Sequence, residues 1–277
     1  MIINHNMMSM NAHRQLSLNN GYQSKSLEKL SSGYRINRAG DDAAGLSISE
    51  KMRGQIRGLN QASRNSLDGI SLIQTAEGAL NESHAILQRM RELCVQGAND
   101  TNADEDRTAI QQELSSLVTE IDRISGATKF NGKTLLDGSF ATSALSLQIG
   151  ANNSTVESYG LTIDSMAAAS IGVDALSADA VATHDAARTS LGVVDDAIRL
   201  VSAQRSALGA AQNRLEHTIA NLDNAAENLQ AAESRIRDVD MAKEMMSYTK
   251  NNILIQAATA MLAQANQAPQ GVLQLLR

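Results

Sequence analysis

Residues 191–236 read LGVVDDAIRLVSAQRSALGAAQNRLEHTIANLDNAAENLQAAESRI and keep one heptad register throughout. Residues recur in it at alternating intervals of three and four, which is typical of a helix that buries one stripe against partner helices. The register consists of Leu191, Val194, Ile198, Val201, Arg205, Leu208, Gln212, Leu215, Ile219, Leu222, Ala226, Leu229, Glu233 and Ile236. The chain has one proline in 277 residues and only 2% aromatic residues, so it favours long helices with an aliphatic core.

Two further internal segments have helical periodicity. We expect one helix over residues 43–99, with Asp41 or Asp42 as its N-terminal cap, and another over residues 104–125. The first helix shows two apolar stripes, which indicates more than one partner helix. One stripe is Met52, Ile56, Leu59, Ser63, Ser66, Ile70, Ile73, Leu80 and Leu87, and the other is Leu72, Ala76, Ala79, Ser83, Ile86, Met90 and Leu93. The second helix carries Ile110, Leu114, Leu117, Ile121 and Ile124.

The middle of the chain has a different character. Turn dipeptides at Asn131-Gly132 and Asp137-Gly138, with period-two alternation at 145–149 and 161–163, predict a β-hairpin region over 128–165. Residues 165–184 are rich in Ala and Ser and predict a short surface connection. The fold class is therefore mainly α, an elongated antiparallel helical bundle or coiled coil with a small β-hairpin insert. We expect a discontinuous inner domain of 1–40 with 240–277 and an outer domain of 41–239, whose last helix covers 185–236.

Charge is distributed unevenly along the chain. Residues 41–239 hold 16 basic and 27 acidic side chains, whereas no charged residue occurs between Asn251 and Leu276. An uncharged stretch of that length indicates an interface. The formal net charge of −6 argues against a nucleic-acid partner, because phosphate binding needs a basic face. No run of 18 apolar residues predicts a membrane span, and the first residues do not resemble a secretory signal.

Residues that could carry chemistry are sparse. The five histidines lie far apart, so no metal site is expected, and no spacing typical of a nucleophile or phosphate loop has its required partners. We therefore predict a protein that is not an enzyme and that needs no cofactor. Cys94 is the only cysteine, which excludes an intramolecular disulfide. Its position in an apolar stripe predicts a small buried side chain.

Several motifs resemble those of bacterial flagellins. They are LSSGYRINRAGDDAAGL at 30–46, QRMRELCVQ at 88–96, SALGAAQNRL at 206–215, ESRIRDVDMA at 233–242 and PQGVLQLLR at 269–277. The resemblance covers about 1–140 and 185–277, and the short middle indicates a form without the large variable outer domains. Cys94 departs from the family, which usually has a small apolar residue there.

The resemblance implies a structural subunit that is exported unfolded through the flagellar type III channel and polymerises into the extracellular filament used for swimming. The implied partners are further copies of the chain, an export chaperone on roughly 240–277, and the filament cap and junction proteins. A hook–filament junction protein, which has similar terminal helices, is the alternative function. Seeded growth of filaments would separate the two functions.

Two sets of residues are the candidate sites. The apolar stripes of the terminal segments predict a polymerisation interface, and its candidate residues are Ile3, Met7, Met10, Leu254, Ala258, Met261, Ala265, Val272 and Leu275. In the family, vertebrate toll-like receptor 5 grips an exposed strip of the long helix on the monomer, and the matching residues are Arg89, Leu93 and Glu113. Leu93 also fits an apolar stripe, so burial inside the bundle is the competing interpretation.

Overall fold

The computed structural model describes residues 6–275, and their side chains as far as residue 267. The mainly α prediction is confirmed. The helices are α1 (Met7–Ser32), α2 (Ala43–Gly97), α3 (Asp104–Ala127), α4 (Ser139–Thr142), α5 (Ala168–Ile171), α6 (His184–Arg237) and α7 (Met241–Leu275). Single 3₁₀ turns occupy Thr155–Glu157 and Asp174–Ser177. The described residues fall into two compact units, one within Met1–Gly54 and Asn228–Arg277 and the other in Gln55–Glu227. The predicted domain boundaries near 40 and 240 stay a prediction.

Local side-chain chemistry sets where α1 ends and α2 begins. Gly33 follows α1 with φ of 76°, a left-handed conformation that glycine adopts without strain, and its N–H donates to the Lys29 carbonyl at 2.9 Å. The carboxylate of Asp42 accepts from the N–H of Gly45 at 2.8 Å and so caps α2. Asp41 instead accepts from the N–H groups of the preceding turn, chiefly that of Arg38, and these bonds lower the pKa of its carboxyl group.

The buried residues of α2 form one seam, so the prediction of two separate stripes is wrong. Buried positions alternate in steps of four and three from Ala62 to Gly97. They are Ala62, Ser66, Gly69, Ile73, Ala76, Leu80, Ser83, Leu87, Met90, Cys94 and Gly97. The seam takes members from both predicted stripes, and Leu72 and Leu93 widen it. Small Ala, Ser and Gly residues complete the heptad, and a pattern read from large apolar residues alone misses them.

The neighbours of α2 run antiparallel to it. On one side Arg91 pairs with Asp195 and Glu77 pairs with Arg205. The later residue of α2 thus contacts the earlier residue of α6, so the two helices are antiparallel. On the α3 side, Arg89 pairs with Glu113, and the Arg107 guanidinium donates to the carbonyl of Gly97. The three helices share one aliphatic core.

From Leu191 to Leu222, every second position of the predicted α6 register is buried. The positions Val194, Val201, Leu208, Leu215 and Leu222 recur every seven residues and are all buried. The alternating positions Leu191, Ile198, Arg205, Gln212 and Ile219 are only half-buried. Their places in the core are taken one residue earlier by Ser190, Ala197, Gln204 and Ala211, which are small or uncharged side chains. Close packing favours them over the bulkier neighbours.

The predicted β insert is confirmed as two small antiparallel pairs. Lys129–Phe130 (β1) pairs with Lys133–Thr134 (β2) around Asn131 and Gly132, which both have positive φ. Leu145–Gln148 (β3) pairs with Ser158–Leu161 (β4), with Leu145 opposite Leu161. This second hairpin lies close against α2, because a Cβ atom at Gly58 would come within 2.8 Å of the Ala151 side chain.

Residues 165–184 are not the surface connection that their composition predicts. Their apolar side chains are buried in the core of the second unit: Met166, Ala168, Ile171, Val173, Leu176, Ala180 and Val181. Gln111 of α3 holds the segment through its side-chain amide, which donates to the Leu176 carbonyl and accepts from the Ala180 N–H, each at 2.8 Å. The segment follows neither helical nor strand geometry for long, so its buried residues have no regular period.

Candidate self-assembly surface

The terminal helices form an antiparallel pair in the first unit. Near the start of α1 the Asn6 side chain donates to the Ala265 carbonyl at 2.7 Å. At the other end, the N–H of Val239 donates to the Gly33 carbonyl at 3.0 Å. The two helices therefore run side by side over almost the whole of α1.

The facing sides of α1 and α7 are mostly small or polar. The α1 residues turned away from solvent follow a heptad spacing and are Ser9, Ala12, Leu16, Asn19, Gln23, Ser26 and Leu30. Those of α7 are Glu244, Tyr248, Asn251, Ile255, Ala258, Leu262 and Ala265. Only Ser26 and Ala265 in these two sets are buried, with exposed fractions of 6% and 9%. The pair consequently buries little apolar area within one chain, and its hydrophobic stabilisation is small.

Large apolar side chains lie on the outer sides of both helices. On α1 they are Met7, Met8, Met10, Leu18, Tyr22 and Leu27, and on α7 they are Met241, Met245, Met246, Ile253, Leu254 and Met261. Their exposed fractions range from 40% at Leu254 to 73% at Met8. Soluble monomers rarely expose so many large apolar side chains close together, and such surfaces mark places where another molecule binds.

The structure places the predicted interface residues in different environments. Met7, Met10, Leu254 and Met261 are exposed, and Ala258 is half-buried. Ala265 is only 9% exposed and faces α1 within the chain, and its assignment to a surface between subunits stays a prediction. Ile3 and the side chains of Val272 and Leu275 lie outside the described residues.

The structure brings two of the three receptor candidates together. The Arg89 Nε donates to Glu113 Oε1 at 2.9 Å, and Nη1 donates to Glu92 at 3.2 Å. These carboxylates raise the pKa of the Arg89 guanidinium, chiefly through the Glu113 hydrogen bond. Half of the Arg89 side chain is solvent-exposed. Leu93 is 2% exposed and belongs to the core, so its expected place on the exposed strip is wrong.

A junction at the base of the terminal helices has no counterpart in the sequence predictions. The Arg237 guanidinium lies 4.9 Å from the ring centroid of Tyr34 and pairs with Glu50 at 3.1 Å. Arg35 donates from its guanidinium to the Ile236 carbonyl. The motifs at 30–46 and 233–242 therefore meet here. Their arginine and tyrosine side chains are the sequence signal that could have indicated the contact.

Cys94 is fully buried, and burial together with the negative charge of Asp195 raises the pKa of its thiol to about 11. Among the described residues no three His, Cys, Asp or Glu side chains come together as a metal site. The described helices include none that is both long and apolar enough to cross a bilayer.

Both ends of the chain match models of one protein family. The model of the bacterial flagellin N-terminal helical region matches residues 3–141, and the model of the C-terminal helical region matches residues 191–276. The chain belongs to the bacterial flagellin family. It is 61% identical to a flagellin of Halalkalibacterium halodurans over 277 residues, with all of both chains covered.

Other flagellar proteins are similar over comparable lengths. A flagellar filament 33 kDa core protein of Treponema phagedenis is 54% identical over 289 residues, again with both chains covered in full. Among solved structures, a protein of Vibrio parahaemolyticus described as flagellar hook-associated matches with a TM-score of 0.60 and 14% identity. That match covers 72% of this chain and all of the other, and shows a shared fold. The family resemblance inferred from the motifs is confirmed.

Proposed function

We propose that this flagellin is the structural subunit of a swimming filament and that it is not an enzyme. The observation that carries the proposal is the pair α1 and α7, which presents most of its large apolar side chains outward and mostly small or polar ones inward. A chain with that arrangement gains more by covering its outer faces with neighbouring copies than by closing on itself. The relatives described as filament proteins support the same function.

Seeded growth tests the proposal. Purified monomer added to filament fragments should extend them without limit, and electron microscopy measures the length against time. A hook–filament junction protein, the alternative function, would add a short segment and then stop. Seeds that do not lengthen would contradict the filament function.

A matched pair of variants locates the surface. Met261→Asp places a charge on the exposed face of α7, where Met261 is 64% exposed, and should abolish elongation without loss of helix content in the monomer. Leu67→Asp makes the same change at a 51% exposed leucine of the second unit and should impair elongation far less. Equal loss in both variants would argue against the terminal helices as the main interface. Removing residues 1–35 or 245–277 should likewise leave the middle helical and prevent assembly.

The same outward side chains support a proposal for export. Unassembled chains would expose Met245, Met246 and Ile253 to nonspecific association, so we propose that the export chaperone covers 240–277 before the unfolded chain enters the type III channel. The filament cap and junction proteins then meet the first and last subunits outside the cell. A chaperone that binds equally well to a chain truncated at residue 239 would contradict this assignment.

For the receptor, the exposed ion pair supports Arg89 and Glu113 but not Leu93. We propose that toll-like receptor 5 contacts this pair on the monomer and that a neighbouring subunit covers it in the filament. Arg89→Ala should weaken binding of the receptor ectodomain. Arg123→Ala, which removes another exposed Arg–Glu pair from α3, is the matched control and should bind as the parent does. Unchanged affinity for Arg89→Ala would contradict the assignment.

A further inference from the structure

Methionine is distributed unevenly over the surface of the described chain. Its exposed copies all lie on α1 and α7, with exposed fractions from 49% to 73%, and are Met7, Met8, Met10, Met241, Met245, Met246 and Met261. The other methionines that the structure describes are covered, since Met90 and Met166 are buried and Met52 is half-buried. The second unit also exposes large apolar side chains, such as Leu67 and Leu200, but they are not methionines. The accessible thioether groups of the described residues are therefore concentrated on the terminal helices.

The exposed methionines lie near both ends of the antiparallel pair. Met10 and Leu262 line one cavity near the start of α1, so Met261 lies at about the level of Met10. At the other end, Met241 begins α7 just after Val239, whose N–H is bonded to the end of α1. The large apolar side chains exposed between these levels are Leu18, Tyr22, Ile253 and Leu254. Methionine is flexible and adapts to irregular partner surfaces, so its place on the outer sides suits an interface.

A thioether differs from the other apolar side chains because a peroxide can oxidise it. Hydrogen peroxide transfers one oxygen atom to the sulfur: the O–O bond breaks, an S–O bond forms, the sulfur loses two electrons, and water leaves. The sulfoxide is polar and accepts hydrogen bonds from water. Covering it with an apolar neighbour removes those hydrogen bonds without replacing them, which is unfavourable. Oxidation of an outer side that another subunit must cover therefore opposes assembly.

Burial directs an oxidant to the terminal helices. The Cys94 thiol, which would otherwise compete for a peroxide, is fully buried, and its raised pKa keeps it in the less reactive neutral form. Met90 and Met166 lie inside the core of the second unit and are shielded by their neighbours. A peroxide that meets the folded, unassembled chain therefore reaches the sulfur atoms of α1 and α7 first.

We propose that the exposed methionines of α1 and α7 are a modification site at which a peroxide prevents an unassembled subunit from joining the filament. Reduction restores the subunit: two thiols of a reductase form a disulfide, the sulfoxide oxygen leaves as water, and the thioether returns. A subunit already in the filament resists the oxidant because its neighbours cover these side chains. The inference rests on the proposed filament function and adds a chemical control of the same surface.

Seeded growth with pretreated monomer tests the proposal. Native monomer is treated with hydrogen peroxide, freed of it, and mapped by peptide mass spectrometry. Oxygen should be gained at the exposed methionines and not at Met90 or Met166, with the helix content unchanged. The elongation rate should fall about tenfold or more. Methionine sulfoxide reductases for both sulfoxide epimers, with dithiothreitol, should restore the rate. Assembled filaments given the same peroxide should gain much less oxygen at these positions.

A matched pair of variants separates the terminal methionines from the covered ones. One variant replaces Met7, Met8, Met10, Met241, Met245, Met246 and Met261 by leucine, which is apolar, of similar volume and not oxidised by peroxide. The other carries Met52→Leu, Met90→Leu and Met166→Leu. For each variant the elongation rate after peroxide is divided by the rate before it. The ratio should stay unchanged by peroxide in the first variant and fall about tenfold or more in the second, as in the native chain. If the first variant does not extend seeds before treatment, the reductase measurement alone decides.

The outcomes separate this proposal from the filament function. If untreated native monomer extends seeds and fully oxidised monomer extends them equally fast, the modification site is refuted and the filament function stands. A loss that the reductases do not reverse, or that is equally large in the first variant, would also refute the modification site. Untreated native monomer that does not extend seeds would overturn the filament function itself.

Discussion

Replacing Gly97 by alanine tests whether residues 165–184 belong to the core. A Cβ atom at Gly97 would lie 2.7 Å from Val181 Cγ1 and 2.9 Å from Val181 Cβ, closer than carbon atoms can approach. Val181 is fully buried and β-branched, so it cannot rotate away. Arg107 also donates to the carbonyls of both residues, at 2.7 Å and 3.1 Å, and so fixes their separation.

Two opposing effects set the change in the free energy of unfolding for Gly97→Ala. Overpacking of this kind costs about 1–3 kcal/mol, while removing a helical glycine returns at most about 1 kcal/mol, and less at the last residue of a helix. We therefore expect Gly97→Ala to lower the free energy of unfolding by about 1–2 kcal/mol. Gly78→Ala is the matched control in the same helix, since no atom outside the helix's own backbone lies within 4 Å of its Cβ position. It should raise the free energy of unfolding by about 0.5–1 kcal/mol.

Urea unfolding of the monomer measures both changes, through the midpoint at an unchanged m-value. Adding Val181→Ala to Gly97→Ala creates room, so the double variant should lose less than the sum of the single losses. The reasoning would be refuted if Gly97→Ala stabilised the chain as Gly78→Ala does, because residues 165–184 would then not press on α2.

Three other expectations follow from burial and capping. Leu222 is 9% exposed and Leu208 is fully buried. In thermal unfolding, Leu222→Ala should therefore lower the free energy of unfolding by about 2–3 kcal/mol and Leu208→Ala by about 3–5 kcal/mol. A loss under about 0.5 kcal/mol at Leu222 would mean that the α6 register is misplaced. The pKa of the Cys94 thiol is about 11 in the folded chain, higher than in the unfolded chain. The free energy of unfolding therefore includes the full contribution of the buried neutral thiol at pH 8. That contribution declines as the pH rises above the pKa of the unfolded thiol. Iodoacetamide at pH 8 should therefore label it only as fast as the chain opens, and rapid labelling would contradict its burial. Asp42→Ala should lower the melting temperature through loss of a cap worth about 1 kcal/mol, whereas Asp42→Asn should be nearly neutral.

The long helices could be predicted because their signals are local. Gly33 and Asp42 end and begin helices as their chemistry requires, and the motifs at both ends identify the family. The seam of α2 could not be predicted from large apolar residues, since Gly69 and Ser83 also occupy core positions. At Gly69 the Leu147 and Leu215 side chains fill the space, because a Cβ atom there would lie 2.6 Å and 3.3 Å from their Cδ1 atoms. Residues 165–184 fill a groove that other elements create, and no period in their own sequence reports it.

The candidate sites divide in the same way. The uncharged stretch between Asn251 and Leu276 predicts from composition alone that α7 belongs to an interface. Composition does not tell which of Ala258, Met261 and Ala265 is exposed, because this depends on which side of α7 packs against α1. Similarly, helical spacing places Arg89 and Leu93 one turn apart, but only the packing of α3 shows that one is exposed and the other buried.

The small and polar seam between α1 and α7 also affects the order in which the parts of the chain fold. The hydrogen bond from Asn6 to Ala265 joins residues 259 positions apart, so closing this pair restricts nearly the entire chain. Local turns and hairpins form much sooner than contacts of such separation. Because the seam returns little free energy, the terminal pair should close last and open first, with the fastest hydrogen exchange among the long helices. The terminal helices of each arriving subunit should therefore stay only weakly paired until the subunits at the filament end cover their exposed apolar faces.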